Sequence, residues 1–201
     1  MYGLDMLEEA VEDWILNGES LLHHTVRELV ESPRPTRITQ VQLLLQKGVN
    51  VDPRNQHDAT PLHVAAKYDN LSVVKLLVTH RADLEAMNMH GATPLHNACR
   101  EGSPAIVSHL IRSNSNIDAT TPIERDTPLH QAVRKNKIHN MVTLILAGAN
   151  TDIKNCRKEK ARRIQCLPAT KQAYDNALRE KIAWNLHRMQ IESPCDRPRQ
   201  F

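Results

Sequence analysis

The chain has 201 residues, a formal charge of +3, and only 3% aromatic residues with a single Phe, which excludes an aromatic-rich core and favours thin layers of small aliphatic side chains. Its four cysteines, Cys99, Cys156, Cys166 and Cys195, form neither a CxxC pair nor the dense spacing of a secreted disulfide framework, which points to a reducing compartment. No apolar run reaches the ~18 residues of a membrane span, and the N-terminal stretch is acidic where a signal peptide is basic, so a soluble protein of the cytoplasm or nucleus is expected.

In chain order, residues 1–20 hold six acidic and no basic residues, and residues 1–13 read as an N-terminal cap or frayed segment. Trp14 to Gly18 reads as a hairpin strand leading into Ser20-Leu-Leu-His23. That tetrapeptide is a degenerate copy of one that returns intact as Thr60-Pro61-Leu62-His63, Thr93-Pro94-Leu95-His96 and Thr127-Pro128-Leu129-His130. The steps of 40, 33 and 34 residues are the period of a solenoid. Each motif suits a helix start: threonine offers a capping hydroxyl, proline sacrifices an N–H that has no partner at the first helical position, and leucine points inward. A second helix follows each motif, with Val74, Leu77 and Val78, then Val107, Leu110 and Ile111, then Met141, Leu144 and Ile145 on one apolar face. In the first copy the stripe Val41, Leu44, Leu45 arrives seven residues late, so the Pro-rich stretch Glu31 to Arg37 is an insertion between two helices. Gly48, Arg81, Asn114 and Gly148 then fall at the left-handed helix stop, where only Arg81 is a costly choice.

Three intact motifs in phase with three apolar second helices resemble the ankyrin repeat, over residues 14–165. The resemblance implies an all-α solenoid of helix-turn-helix units with β-hairpin fingers: repeats at about 18–57, 58–90, 91–124 and 125–157, followed by a partial cap. In that cap Lys160-Ala-Arg-Arg163 stands where the tetrapeptide belongs. Beyond it, residues 168–190 read as a C-terminal helix whose Tyr174, Leu178, Ile182, Leu186 and Met189 form one continuous stripe, expected to close the end of the array. Residues 191–201 read as a disordered tail. The segment Ala177 to Leu186 loosely resembles the elongin-binding helix of SOCS-box adaptors. It departs from that family in having Ile182 where cysteine is usual, and Ser193 to Arg199 lacks a cullin-contact pattern.

The sequence offers no catalytic constellation. Of eleven histidines, His23, His63, His96 and His130 belong to the repeat, where a buried ring serves as a strut hydrogen-bonded to a neighbouring backbone. His96 and Cys99 share a helix face, but Val26, Ala66 and Val133 hold the positions equivalent to Cys99, so the thiol reads as a small apolar core group. With no phosphate loop, metal-binding helix or paired carboxylates, neither enzyme activity, metal nor cofactor is expected.

A partner surface is a different matter. Arg27, Lys67, Arg100 and Arg134 each lie four residues after a motif histidine, and helices stacked roughly 8 to 10 Å apart would align them as a column, either a track for an acidic partner or a solubilising edge. The hairpin tips vary more. Gln56 and His57 lie on a polar one, and Met87, Met89 and His90 on an apolar, mobile one. Ile123 lies on a tip, residues 120–126, that is one residue longer and lacks the turn glycine. Asp52, Glu85, Asp118 and Asp152 stand where ankyrin hairpins often carry a hydroxylated asparagine, so that modification is not expected. The reading is a monomeric, non-catalytic scaffold for a protein partner, with nucleic acid and membrane not expected as partners. Its rivals are a ubiquitin-ligase adaptor acting through the C-terminal helix and a nuclear transcription regulator acting through the basic residues 154–201, which hold twelve basic and five acidic side chains.

Overall fold

The computed structural model describes residues 20–31, 35–164 and 166–192. The cap at 1–13, the strand at 14–18, residues 32–34 of the Pro-rich insertion and the 193–201 part of the tail lie outside the described residues. Helices pair along the chain: α1 (Leu21–Glu31) with α2 (Pro35–Gln46), α3 (Pro61–Lys67) with α4 (Leu71–Thr79), α5 (Pro94–Arg100) with α6 (Pro104–Arg112), and α7 (Pro128–Arg134) with α8 (Ile138–Leu146). Helices α1, α3, α5 and α7 stack as an inner row and their partners as an outer row. A 3-10 turn, Ala161–Arg163, continues the inner row against α7, and α9 (Pro168–Glu192) continues the outer row against α8.

The core is as thin as the composition requires. Leu62, Ala65 and Ala66 of α3, Leu95, Ala98 and Cys99 of α5, and Leu129, Ala132 and Val133 of α7 are all buried. They meet the buried Val73, Val74 and Leu77 of α4, Ile106, Val107 and Leu110 of α6, and Met141, Leu144 and Ile145 of α8. Each large aliphatic group contributes roughly 1.5 to 3 kcal/mol by leaving water. Small residues on the inner helices let successive layers approach closely. Gly102 shows how closely: a Cβ there would sit 2.6 Å from the carbonyl oxygen of Ala66 in the preceding repeat. In the next layer Asn140 donates its side-chain amide to the carbonyls of Ala98 (3.1 Å), Cys99 (3.3 Å) and Gly102 (3.0 Å), so the end of α5 is closed from both sides.

Motif histidines bind the layers to one another. Thr60, Thr93 and Thr127 donate their backbone N–H groups to Nδ1 of His63, His96 and His130 at 3.1, 3.2 and 3.3 Å. An N–H can only donate, so Nδ1 is the unprotonated nitrogen and Nε2 carries the hydrogen. Nε2–H then donates to the next repeat: His23 to Ala59 O (2.8 Å), His63 to Ala92 O (2.9 Å), His96 to Asp126 O (3.1 Å) and His130 to Glu159 O (3.1 Å). A second ladder runs beside this one. The carboxylates of Asp52, Glu85 and Asp118 accept the backbone N–H of Asp83 (2.9 Å), Asn116 (2.7 Å) and Asn150 (2.9 Å), and Asp152 instead accepts from the Lys160 ammonium at 2.6 Å.

Turn geometry follows one template per unit. Gly48, Arg81, Asn114 and Gly148 stop the outer helices at φ of 80°, 62°, 70° and 103°. The fingers are less extended than β-hairpins: among the described residues the pairing is an isolated antiparallel bridge, Lys154 with Lys160. Their tips are closed by an asparagine instead. The side-chain oxygens of Asn55, Asn88 and Asn155 accept backbone N–H groups two and four residues on, and a left-handed residue, Asp58, Gly91 or Lys158, completes each turn. In the third finger Thr121 replaces the asparagine and Arg125 takes the left-handed position at φ 53°. Thr121 N–H reaches Asp126 O across five residues where Asn88 N–H reaches Ala92 O across four, which locates the extra residue in the finger tip.

The stripe read along the C-terminal helix requires correction. α9 buries Thr170, Tyr174 and Ala177 with Leu178 partly covered, and Lys181 donates to the carbonyl of Ala149 at 3.1 Å. Beyond that contact Ile182 is 51% and Trp184 61% exposed. An i, i+4 pattern on a straight helix drifts round its axis, so a helix tangent to α8 leaves the array after about three turns. The side chains of Leu186 and Met189 lie outside the described residues.

Candidate partner-binding surface

Part of the basic column and part of the finger tips meet at one groove. A cavity of about 380 Å³ opens between the second and third fingers and the inner helices α5 and α7, and His90, Arg100, Ile123, Glu124, Gln131 and Arg134 line it. Four of the ten residues singled out as contact candidates, His90, Arg100, Ile123 and Arg134, therefore meet in one place. Arg27, Lys67, Gln56, His57, Met87 and Met89 do not line it.

The cations differ more than their shared register suggests. Lys67 holds its ammonium over the ring of Tyr68, 5.3 Å from the centroid. Arg100 meets Glu101 at 3.0 Å on the surface. Arg134 is drawn out of the column by two carboxylates, Glu124 at 3.1 Å and the fully buried Asp126. Asp126 also accepts the side-chain amides of Gln131 (3.0 Å) and Asn155 (3.4 Å). Burial pushes its carboxyl above the usual range and Arg134 offsets this only in part. The column is thus not a row of equivalent free charges. The sequence reading missed Asp126 because Ala59 and Ala92 hold the same register position in the units before it; that substitution of alanine by aspartate was the available signal.

The finger tips are tied to one another by hydrogen bonds. Met89 N–H donates to His57 O at 2.9 Å and Cys156 N–H to Glu124 O at 2.8 Å. Arg54, also missed by the sequence reading, donates from Nη1 to the carbonyls of Asp58 and Met87, clamping the first finger to the second. The second meets the third where Gly91, at φ 68°, lies against Pro122; a Cβ there would be 2.0 Å from the proline Cδ. Met87, Met89 and Ile123 remain exposed by 46%, 54% and 79% on this joined wall. Gln56 and His57 are exposed on the first tip.

His96 and Cys99, which share a helix face, do not form an activated pair. Burial pushes the Cys99 thiol well above its ordinary range, and both ring nitrogens of His96 are committed to Thr93 and Asp126. Burial also holds His63 and His96 at about 4, and lowers His130, so all three rings are neutral. Among the described residues no cluster of three His, Cys, Asp or Glu side chains is placed to hold a metal ion, and no helix is long and apolar enough to cross a membrane.

Histidine-strutted helix pairs whose fingers wall a groove along the inner row define a solenoid repeat protein. The family model for ankyrin repeats (3 copies) matches residues 4–88, 34–122 and 86–155, and the chain belongs to the ankyrin-repeat family. The comparison with curated proteins finds no match. Ankyrin repeats are generic protein–protein interaction modules and are typically non-catalytic.

Proposed function

We propose that the chain is a non-catalytic scaffold that binds a protein partner on the surface formed by the fingers and the inner helices. One observation carries this reading: the groove collects exposed finger residues, His90, Ile123 and Glu124, and inner-helix residues, Arg100 and Gln131, on a frame that hydrogen bonds hold rigid. A preorganised wall loses little freedom on docking, which favours affinity. Proximity labelling in cells tests it, comparing the unaltered chain with Met87→Ala/Met89→Ala/Ile123→Asp and with Lys75→Glu on the outer helix α4. Proteins lost with the finger variant and kept with Lys75→Glu support the reading. Recovery unchanged by the finger variant, or reduced equally by both, removes it.

The adaptor alternative draws support from the distal half of α9, where Ile182 and Trp184 are exposed. Against it, Ala177 and Leu178 of the segment that resembles an elongin-binding helix pack on the array. Capture of purified elongin by the chain, abolished by Trp184→Ala, would favour it. The nuclear-regulator alternative keeps less of its basic region, since Lys160 and Arg162 pair with Asp152 and Asp175 at 2.6 and 2.8 Å.

A further inference from the structure

The chemistry of the groove narrows the kind of segment it accepts. Arg134 is already neutralised by Asp126 and Glu124, whereas among the described residues Arg100 pairs with Glu101 alone, with the two side chains 35% and 38% exposed, a pairing that water and salt weaken. Its Nε–H is buried and makes no hydrogen bond among the described residues. An unpaired buried donor is unfavourable, so the present rotamer is held by a weak surface contact at the expense of an unsatisfied group. A guanidinium turned from Glu101 into the groove offers Nε–H and Nη–H as a fork matching one carboxylate. Lys135, exposed at the same rim, adds long-range attraction for negative charge. On the finger wall, Ile123 supplies an apolar surface that is 79% exposed.

We propose that the groove between the second and third fingers binds an acidic segment of a partner protein, with an Asp or Glu carboxylate on Arg100 and an adjacent apolar side chain over Ile123. This rests on the interaction surface proposed above and names its ligand chemistry. A nucleic-acid strand fits less well. Phosphates need successive uncommitted cations, and here Arg134 is already spent on Asp126 and Glu124.

Random dodecapeptides displayed on phage and selected against the full chain provide the probe, with the recovered peptides measured by fluorescence anisotropy. The expected result is enrichment of Asp or Glu within a few residues of Leu, Ile or Phe. Affinity should fall about tenfold on Arg100→Gln, less on Arg100→Lys, and again on Ile123→Ser, with weakening by salt. Peptides that lack acidic enrichment, that bind Arg100→Gln as well as the unaltered chain, or that fail to emerge at all overturn the proposal. So does a single-stranded oligonucleotide that binds with the same dependence on Arg100. Non-acidic peptides blocked by Ile123→Asp would sink this proposal and leave the interaction surface standing. Peptides indifferent to every groove variant but lost on Lys75→Glu would remove the surface itself.

Discussion

His96 donates its Nε2–H to the carbonyl of Asp126, 3.1 Å away and 30 residues further along the chain, while its Nδ1 accepts the N–H of Thr93. One ring therefore satisfies a helix start in its own repeat and a buried carbonyl in the next. Removing it leaves both unpaired, at a cost of about 1 to 3 kcal/mol. His96→Ala and His130→Ala should each lower the midpoint of thermal unfolding by several degrees without changing the helical circular dichroism of the folded state. Unaltered melting temperatures in both variants would contradict the strut.

The same rings predict acid sensitivity. His63 and His96 are held at about 4 by burial, below the ordinary 6.5, so the unfolded chain takes up protons between those values while the folded chain does not. Stability is complete above pH 6.5 and is lost as pH falls toward 4. Going from pH 7 to pH 5 should cost at most about 2 kcal/mol for each ring. Asp52 and Asp126, whose carboxyls burial raises, act with the opposite sign and offset part of the loss. Urea titrations at pH 7, 6 and 5 would measure the slope, and a stability that is flat or rising toward pH 5 would refute it.

The tetrapeptide motif and the second-helix stripe made the repeat legible, because both are local patterns that recur at one period. What stayed hidden was the contact between repeats. The aspartate that replaces alanine before the third motif marks the place, as do Glu101 after Arg100 and Lys135 after Arg134, but periodicity alone does not say that Asp126 reaches Arg134 while Arg100 meets Glu101. The stripe of α9 misled for a related reason: periodicity shows which face of a helix is apolar but not how far the surface beneath it extends. Ile182 continues the pattern after the array has ended.

Gly102 tests how tightly the layers are closed. Its φ is not in the left-handed region, so an alanine costs nothing in local backbone conformation and any loss comes from contact, above all with the Ala66 carbonyl of the preceding repeat, 2.6 Å from the added Cβ, and less closely with the Ala98 carbonyl at 3.0 Å. Gly102→Ala should destabilise the chain by about 1 to 3 kcal/mol, as overpacking does. The equivalent positions hold Asp69 and Asn136, both left-handed, so substituting Asn at Gly102 should be no better tolerated. Chemical denaturation of both variants checks this, and an alanine variant as stable as the parent would show that the layers can separate freely.

Truncation separates the two halves of α9. Ending the chain after Lys181 removes the exposed Ile182 and Trp184 but keeps Tyr174, Ala177 and the Lys181 bond to Ala149. This variant should remain monomeric with a melting temperature close to that of the parent. Ending it after Arg163 uncovers α8 and should lead to aggregation, since a terminal repeat needs a polar outer face. Size-exclusion chromatography with light scattering distinguishes them, and equal behaviour of the two truncations would deny the helix its capping role.

Asp126 and Arg134 can be tested as a pair whose value lies in completeness. Asp126 is fully buried and accepts from Arg134, Gln131 and Asn155 together, so replacing Arg134 by methionine strands a carboxylate that burial already disfavours. Because the arginine side chain is 34% exposed, water compensates in part, and the loss should be about 1 to 3 kcal/mol rather than that of a fully buried pair. Asp126→Asn combined with Arg134→Met should recover much of it, since the amide still accepts from Asn155 and leaves no charge uncompensated. Denaturation of the two single variants and the double variant gives the coupling energy directly. Asp126→Asn alone has a second consequence, because it frees Arg134 from its stronger anchor and turns a spent cation into one that faces the groove beside Arg100. That variant should bind an acidic peptide more tightly than the unaltered chain, with a steeper dependence on salt, and weaker binding would show that the pair shapes the groove rather than neutralising it.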